Sequence, residues 1–576
     1  MLMRLSTSKS KNATSLYVIK DITIKNKRTT KIVEKLGTEA QLREKLNGQD
    51  PYEWAKKYIS ELNKKEKENK VEIIAKFSET KQIPMDSKVH FNGGYLFLQD
   101  IYYDLGLHKI SKQISDKYKF SFDLNSILSR LIYTRMLNPS SKLSSFKASN
   151  DFIEQPNFEL QHIYRALEII SKESDFIEST VYKNSLKLSK RNTKVLYYDC
   201  TNYFFETEKA DGLKQYGLSK EHRPNPIVQM GLFMDGDGIP LAFSIFDGNK
   251  NEQPSLKPLE KRILSDFDLS KFVVCTDAGL ASNTNRIFNN KNDRAFIVTQ
   301  SLKKLKKHLK DWALAPNGWH LSNETKNINL ENIDHSSNNK AIYYKERWIN
   351  ENELPQKLIV TYSPKYRAYQ EYIRSTQIQR AEKLVKKPSS INKKKQNDPK
   401  RFIDSIHCTN EGEIAEKQVL TINRDTISDE EKYDGFYGVC TNLDDNAETI
   451  IKVNKRRWEI EESFRILKTE FKARPVYLSR DDRIKAHFTT CFLSLLIYRL
   501  LEKKLDEKYT TKELIETLKN HNFMELKGEG YIPTYTRTDI TDELHDKFGF
   551  RTDTQIISNA KMKKILKQLN CIMKLN

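Results

Sequence analysis

The chain has 576 residues, too many for one hydrophobic core, and it should divide into several domains. Hydrophobic residues make up 38% of it and aromatic residues 10%, which excludes a chain that is disordered throughout. Basic residues outnumber acidic ones by 98 to 77, and the net charge of +21 favours a polyanionic partner over a merely lysine-rich soluble protein.

The first 90 residues predict a small basic region. Apolar residues alternate with polar ones over 15–36, and several lysines lie among them, which indicates a basic β-hairpin. A charged helix is predicted from Gln49 to Lys70, and its terminal KKEKENK run indicates a solvated end. The N-terminal sequence MLMRLSTSKSKNATS has no apolar segment, so we expect no signal peptide.

A helical domain is predicted over 91–190, because apolar residues recur there at helical spacing. The residues that carry this pattern are Leu96, Phe97, Leu98, Ile127, Leu128, Leu131, Ile132, Met136, Ile163, Leu167 and Ile170. A helical domain in a basic chain, ahead of a catalytic core, is a candidate DNA-binding domain, although such a bundle is as often purely structural.

The pattern changes at Lys194 to short apolar runs that predict buried strands. The predicted strands are Val195–Tyr198, Pro226–Met234, Ile239–Phe246, Phe272–Cys275 and Ala295–Thr299. The DGDG sequence at 235–238 predicts a hairpin turn, and helices are predicted at 253–266 and from Ser282. The order β-β-β-α-β-α-β predicts the first part of an α/β core over 191–302 with a mixed sheet.

The stretch 303–445 breaks this rhythm and is predicted to be an insertion domain. It combines basic helical runs with strand-like segments such as Lys357–Tyr362 and Gly435–Thr441. Lys383–Arg401 is rich in lysine and has no apolar period, so it is either a solvated linker, the favoured interpretation, or a clamp on phosphates.

The core is predicted to resume over 446–510, with helices at Val453–Phe471 and Arg483–Lys504, and a small tail domain follows over 511–576. The apolar stretch Phe488–Leu501 contains Arg499 and is too short to span a bilayer, so we expect a buried helix. No two of the six cysteines form a CxxC pair, so neither a zinc site nor a disulfide framework is indicated. We therefore expect a reducing, cytoplasmic location.

Two aspartates follow buried strands of the predicted core. Asp199 comes directly after Val195–Tyr198, and Asp277 follows Phe272–Cys275. Ligands tend to bind at the carboxyl ends of strands in open α/β sheets, because the loops diverge there. A single aspartate in this position is more often a turn-former than a ligand, but two in equivalent places favour a site.

A third carboxylate lies on the helix predicted around 453–471. Ile460, Phe464, Leu467 and Phe471 recur as its buried stripe, and an adjacent stripe sets Glu461 among the cations Arg457, Arg465, Lys468 and Lys472. Either this is an exposed helix with weak i,i+4 ion pairs, or Glu461 is a metal ligand flanked by phosphate-binding groups. Three carboxylates suit Mg²⁺, and two such ions roughly 4 Å apart promote in-line displacement at phosphorus.

The spacing R-x3-E-x6-K of Arg457, Glu461 and Lys468 resembles the Y-x2-R-x3-E-x6-K signature of DDE transposases of the insertion-sequence-four-like superfamily. The position of the signature tyrosine holds Asn454 here. Further blocks resemble the same superfamily: LYYDCTNYFFE around Asp199, GLSKEHRP at 217–224, GIPLAFSIFDGN at 238–249, VCTDAGLAS around Asp277 and, more loosely, RMLNPSSKLSS at 135–145. The resemblance covers about 194–505.

This resemblance implies a multidomain α+β protein: an RNase H-like α/β catalytic core with a β-rich insertion, preceded by a helical N-terminal domain. It implies that Asp199, Asp277 and Glu461 are catalytic and hold two Mg²⁺ ions, for which Mn²⁺ can substitute. The residues expected to contact nucleic acid are Arg457, Lys468, Asn454, Arg465, Lys220, His222 and Arg223, although for His222 a loop histidine bonded to the backbone is at least as well supported. Members of the superfamily stack a tryptophan of the insertion on a flipped base, and Trp312, Trp319 and Trp348 are the candidates, although a core role is favoured for all three.

The implied function is that of an insertion-sequence transposase in a prokaryotic cytoplasm, associated with the nucleoid. It would bind terminal inverted repeats and target double-stranded DNA as a homodimer, free a 3′-OH with water and join that end to the target. Two alternatives remain open: a catalytically inactive or domesticated DNA-binding protein, and a metal-dependent nuclease without strand transfer.

Overall fold

The computed structural model describes residues 3–10, 13–24, 27–46, 49–69, 78–80, 82–291, 293–321, 326–351, 353–386, 398–407 and 418–571. The chain forms two compact units, Met1–Lys88 and Val89–Asn576.

The first unit is a three-stranded antiparallel sheet with two helices. Its elements are β1 (Met3–Lys9), β2 (Thr14–Ile24), β3 (Lys27–Thr38), α1 (Glu39–Lys45) and α2 (Pro51–Asn69). The predicted hairpin is the β2–β3 pair, and α2 is the predicted charged helix, so both predictions are confirmed. Leu16, Leu42 and Ala55 form the small core that joins the sheet to the helices.

The second unit begins with one strand and a group of six helices. These are β4 (His90–Asn92), α3 (Tyr95–Asp104), α4 (Leu107–Tyr118), α5 (Leu124–Leu137), α6 (Lys142–Ser149), α7 (Leu160–Lys172) and α8 (Ser174–Leu188). The predicted helical domain is thereby observed as helices, and its apolar positions are buried. Asp123 caps α5 and Ser141 caps α6, each by accepting from a backbone N–H of the first turn.

A nine-stranded mixed sheet forms the centre of the second unit, and all five predicted strands belong to it. Its strands are β5 (Val195–Phe204), β6 (Ile227–Asp235), β7 (Pro240–Asp247), β8 (Val273–Thr276), β9 (Ala295–Gln300), β10 (His320–Leu321), β11 (Tyr343–Glu351), β12 (Leu354–Tyr362) and β15 (Phe436–Thr441). The order across the sheet is β10-β11-β12-β15-β9-β8-β5-β6-β7. β8 pairs parallel to β5 and to β9, whereas the other pairs are antiparallel.

The helices predicted after β7 and β8 are also present, as α9 (Leu256–Asp266) and α10 (Asn283–Phe288). Short 3-10 helices occupy Gln253–Ser255, Leu302–Lys304, Leu330–Asn332 and Pro399–Phe402.

Most of the insertion's strands belong to the core, because β10, β11, β12 and β15 extend the central sheet beyond β9, and two further strands of the insertion form a small sheet of their own. Its other elements are α11 (Lys307–Leu314), α12 (Pro364–Lys386), β13 (Ile403–His407), β14 (Gln418–Ile422) and α13 (Arg424–Glu431). The lysine-rich stretch predicted to be a linker starts inside α12, and its part 387–397 lies outside the described residues.

Three helices follow the sheet: α14 (Ala447–Lys455), α15 (Trp458–Thr469) and α16 (Asp481–Lys504). The prediction of one continuous helix over Val453–Phe471 is wrong, since the chain turns at Arg456 and Arg457. There the backbone N–H groups bond three residues back instead of four, to Val453 and Asn454. These residues are good helix formers, so the break follows from how the two helices pack and not from local propensity.

The apolar helix α16 lies in the core of the second unit, packed against α3, α5 and α7. Its length and composition would suffice to cross a membrane, but 94% of its apolar window is buried within the protein, as expected of a core helix. The chain ends with α17 (Thr511–Asn520), β16 (Asn522–Leu526), β17 (Gly530–Pro533), α18 (Asp539–Phe548), β18 (Ile557–Ser558) and α19 (Asn559–Cys571). Strands β18, β17, β16 and β4 form a separate small sheet.

Candidate active site

The two aspartates occupy equivalent positions on neighbouring parallel strands. The register of β5 and β8 pairs Val195 with Val273 and Tyr197 with Cys275, so Asp199 and Asp277 each lie two residues beyond the last pair. Asp277 directly follows β8, as predicted. The prediction that Asp199 ends its strand is wrong: β5 continues to Phe204, because β6 provides an antiparallel partner on its other side over this whole length.

Asp199 is partly buried in a site that disfavours its charge. Burial raises its pKa to about 6, the nearby carboxylate of Asp277 also raises it, and Lys220 and Arg457 act in the opposite direction. One carboxylate oxygen accepts from the N–H of Cys200 at 2.7 Å. Asp199 thus shares its surroundings with a second acid and two cations, an arrangement that an added divalent cation would stabilise.

Glu461 reaches this site from α15 through Arg457, whose Nη2 lies 3.4 Å from a Glu461 carboxylate oxygen. Burial alone would lower the pKa of Arg457, but neighbouring acidic groups outweigh burial and leave that pKa raised. These groups are the Tyr437 phenol and the carboxylates of Asp199, Glu461 and Asp277. One guanidinium therefore lies within electrostatic range of all three carboxylates.

The other two glutamates of the motif have different partners. Glu459 binds Arg456 at 2.9 Å, and its carboxylate fills the space that a side chain at Gly238 would need. Glu462 accepts from Arg465 and is paired with the buried Arg499. Glu461, exposed on its helix face, is the glutamate of this motif that shares Arg457 with the aspartates.

Two lysines approach the segment that follows Asp199. Lys468 donates to the hydroxyl of Thr201 at 2.6 Å, and Lys220 donates to the carbonyl of Cys200 while pairing with Glu252 at 3.0 Å. Burial and the proximity of Lys220 lower the pKa of Lys468 to about 8. An anion bound here would favour the charged form of Lys468, and the ammonium groups of Lys468 and Lys220 would both stabilise it.

Asn454 lies inside the protein. Its amide donates to the Tyr437 hydroxyl at 3.2 Å, and that hydroxyl also bonds Thr299 at 2.6 Å. The carbonyl of Asn454 accepts from the N–H of Arg457 at 3.2 Å. In this structure Asn454 therefore supports the turn that carries Arg457, and its side chain is occupied by protein partners.

The remaining predicted nucleic-acid contacts are His222, Arg223 and Arg465. His222 is exposed and adopts a left-handed backbone conformation with φ of 57°. The guanidinium of Arg223 lies 4.3 Å from the centre of the Phe204 ring. Arg465 is exposed on α15 and paired with Glu462 at 3.1 Å.

An aromatic pocket of about 360 Å³ opens beside Glu461, between α14, α15 and the strands of the insertion. Its lining includes Tyr366, Tyr437, Trp458 and Arg457. The sequence prediction overlooked Trp458 and Tyr437, although Trp458 stands next to Arg457 in the quoted motif and is exposed.

The three tryptophans that were considered differ in burial. Trp319 belongs to the core, as favoured, and its indole N–H donates to Ala315. Trp312 packs at the edge of that core, with Lys345 and Arg347 against its ring. Trp348 is 48% exposed, so a core role is wrong for it.

The carboxylate trio fits a pair of hard divalent cations by its chemistry. It offers oxygen ligands only, and the mutual effect of Asp199 and Asp277 shows that they are close enough to repel. Among the described residues, one group of three ligands lies within 4.8 Å of one another, and it is Asp542, His545 and Asp553 rather than this trio. Two ions roughly 4 Å apart suit carboxylates that are more widely spaced than the ligands of a single ion, and without cations the three acids repel one another.

The Asp542 group is a poorer metal site, because its carboxylates are already neutralised. Asp542 pairs with Arg537 at 2.7 Å and Asp553 with Arg551 at 2.6 Å. The Arg551 guanidinium lowers the pKa of Asp553 to about 2. Arg551 also pairs with Asp546 at 2.8 Å, which joins α18 to the loop that follows it.

Comparison with known proteins places this site in a family. The family described as "Transposase DDE domain" matches residues 204–497, just over half of the chain, including Asp277 and Glu461 and starting shortly after Asp199. No curated protein sequence matches the chain.

Two solved transposase structures resemble the fold weakly. One is a cryo-electron microscopy structure of the piggyBac transposase synaptic complex with hairpin DNA, 8% identical, covering 82% of this chain and 89% of that one, with a TM-score of 0.36. The other is the Mos1 transposase paired-end complex with the left transposon end, 10% identical, covering 41% and 64%, with a TM-score of 0.13. Since both TM-scores are below 0.5, the assignment depends on the family match.

Proposed function

Since the chain belongs to the transposase DDE domain family and is therefore an enzyme of DNA phosphoryl transfer, we propose that it moves an insertion sequence by cutting at the element's ends and joining them to a target. In this proposal Asp199, Asp277 and Glu461 are the catalytic carboxylates. The observation that carries it is the position of Arg457, which lies within electrostatic range of all three acids although they are far apart in the sequence.

Enzymes of this family use divalent metal, and we propose Mg²⁺, two ions per site, with Mn²⁺ as a substitute. Asp199, Asp277 and Glu461 would hold such ions, which would supply activation of the attacking oxygen and stabilisation of the leaving one. The donor set supports this choice, because it consists of carboxylate oxygens without sulfur or imidazole. The raised pKa of Asp199 supports it as well, because an acid held among like charges gains when a cation binds.

The reaction has two displacements at phosphorus. Water attacks the phosphodiester at the element end, the bond to the 3′ oxygen breaks, and a 3′-OH is freed. That 3′-OH then attacks a target phosphodiester and forms a new bond to its phosphorus, while the bond from that phosphorus to the target's own 3′ oxygen breaks and leaves a 3′-OH on the target strand. Lys468 and Lys220 are placed beside Thr201 and Cys200, next to Asp199, where they would hold the negative phosphate during both steps.

The partners that we propose are double-stranded DNA of the terminal inverted repeats and of the target, bound by a homodimer. The net charge of +21 supports a polyanionic partner. We also propose a prokaryotic cytoplasmic protein that associates with the nucleoid. The four described cysteines of the second unit's interior, Cys200, Cys275, Cys440 and Cys491, are free thiols, in keeping with a reducing compartment.

The test uses the purified protein, a labelled duplex and a plasmid target in Mg²⁺. The duplex carries the inverted repeat found just outside the reading frame. Cut and joined products should appear with the wild type and should be lost with Asp199→Asn, Asp277→Asn and Glu461→Gln. Glu462→Gln is the matched control, because it makes the same change one residue along α15 at a carboxylate that faces Arg499 instead. Normal cutting by Glu461→Gln would refute the assignment.

The same assay separates the two alternatives. Cutting without joined products indicates a nuclease, and a shifted duplex that is never cut indicates a DNA-binding protein without catalysis. Thermal unfolding of each variant shows that a loss of products is not a loss of fold.

A further inference from the structure

A small basic pocket lies beside the end of α15, apart from the carboxylates. It has a volume of about 70 Å³, room for several water molecules and so for one small oxyanion. Its lining includes four basic side chains, two serines and two tyrosines, namely Arg135, Lys142, Lys472, His487, Ser140, Ser141, Tyr164 and Tyr477. The residues that line it include no carboxylate.

Lys142 is the unusual member of this group. Its side chain is only 5% exposed, and within the described residues its ammonium has no hydrogen-bond partner. Burial and the neighbouring Arg135 together lower its pKa to about 7. The buried Cys491 thiol raises this pKa and so acts in the opposite direction, but no carboxylate is among the groups that shift it.

Arg135 is held in place without being neutralised. Its Nη1 donates to the carbonyl of Phe471 at 3.2 Å and its Nη2 to that of Ser140 at 3.1 Å, while its buried Nε has no partner among the described residues. His487 donates from Nε2 to the carbonyl of Ala473 at 3.1 Å, and burial with the nearby cations lowers its pKa well below the usual value. Neutral carbonyls thus orient both side chains; His487 is uncharged, and the charge of Arg135 is not paired with a carboxylate in the described structure.

Buried cations in proteins are ordinarily paired, because an unpaired charge away from water is costly. A cluster of them without acids is a site that an anion completes. Helix α6 begins at Lys142, so its first residues and the positive end of its dipole also lie at this pocket. We propose that the pocket is a phosphate-binding site, with Lys142 and Arg135 as its main ligands.

A phosphate of bound DNA is the source that the position of the pocket favours, and this part rests on the proposed function. Lys472, which lines the pocket, follows α15, the helix that carries Glu461 and Lys468. From Glu461 to the end of α15 at Thr469 the helix rises by roughly 12 Å. That length equals about three or four base-pair steps of a duplex, so one DNA molecule can reach both the carboxylates and the pocket.

The first experiment tests the pocket with inorganic phosphate alone. The melting temperature of the wild type should rise with phosphate at constant ionic strength, whereas Lys142→Met should lose this rise. Lys147→Met is the matched control, because it removes the same charge from an exposed position of the same helix, and it should respond like the wild type. An equal rise in Lys142→Met and the wild type would overturn the phosphate site.

The second experiment asks whether DNA supplies the phosphate. The affinity for the inverted-repeat duplex is measured over a range of salt concentrations, and Lys142→Met should reduce the slope of log K against log salt by about 0.9, one phosphate contact. If Lys142→Met loses the response to inorganic phosphate but keeps the wild-type dependence of DNA affinity on salt, DNA is not the source of the phosphate. The pocket would then be a site for free phosphate. If the wild type neither binds nor cuts DNA, the proposed function is refuted. The first experiment then still shows whether the pocket binds phosphate.

Discussion

Replacing Lys142 by methionine should stabilise the protein in acid and neutral solution, and the gain should shrink as the pH rises. The ammonium is buried beside Arg135 without an acid, and its pKa falls from 10.5 to about 7 on folding. Each tenfold change in a proton equilibrium corresponds to about 1.4 kcal/mol, so keeping the proton on Lys142 costs the fold about 5 kcal/mol. Methionine has a similar length and no charge, and therefore avoids this cost.

The dependence on pH follows from the proton count. Below pH 7 the lysine is protonated in both the folded and the unfolded chain, so the whole cost is present. Between pH 7 and 10.5 unfolding takes up a proton, and the stability of the wild type rises with pH relative to the variant. The advantage of Lys142→Met should thus be about 5 kcal/mol at pH 6 and about 2 kcal/mol at pH 9.

Thermal unfolding of wild type, Lys142→Met and Lys147→Met in phosphate-free buffer at both pH values measures this difference. Lys147→Met should unfold like the wild type at each pH, because its ammonium is exposed. The reasoning fails if Lys142→Met melts no higher than the wild type at pH 6. It fails equally if its advantage is the same at pH 9, since a constant difference would reflect packing and not charge.

Three further substitutions test other parts of the structure. Arg457→Gln removes the cation shared by the carboxylates, so the melting temperature of this variant in EDTA should be lower than that of the wild type. Mg²⁺ should then raise its melting temperature by more than it raises that of the wild type. An equal rise would contradict the position of Arg457 among the three carboxylates. Lys468→Met loses the bond to Thr201, and the cutting rate should fall at least tenfold at saturating DNA while the fold is retained, which a gel assay beside a melting curve shows. Asp235→Asn breaks a fully buried ion pair with Arg191 at 2.6 Å and should cost about 3–5 kcal/mol in urea unfolding. A cost near zero would mean that the buried guanidinium finds other partners.

Strands β5, β6, β8 and β9 were predictable from the sequence because they are largely buried and therefore appear as apolar runs. Strand β11 was not predicted, and Glu346, Arg347 and Trp348 in its middle are exposed. The continuation of β5 past Asp199 was not predictable, because Cys200–Phe204 is mixed in polarity and its strand conformation depends on hydrogen bonds to β6. The break at Arg456 was missed for a similar reason: the residues around it favour a helix, and the packing of Asn454 against Tyr437 decides the turn.

The aromatic and basic pockets were even less accessible to sequence reasoning. Tyr437 meets Asn454 across a strand and a helix, a contact that no spacing along the chain indicates. Lys142 stands in KLSSFKAS, which has the composition of an ordinary surface helix. Only the approach of Arg135, Lys472 and His487 from three other parts of the chain buries its ammonium.

The two charged sites of this protein lie toward opposite ends of one helix and have opposite sign. Asp277 raises the pKa of Asp199 and Arg135 lowers that of Lys142, so a bound cation would stabilise the first site and a bound anion the second. Each cluster lowers the stability of the free protein. A ligand that binds only the folded state removes this repulsion and so raises the free energy of unfolding. A protein built in this way should be less stable alone than with metal and DNA together, and the two ligands should favour each other's binding through the DNA that spans both sites. The helix that joins them then acts as a fixed spacer between the cut and a phosphate farther along the duplex.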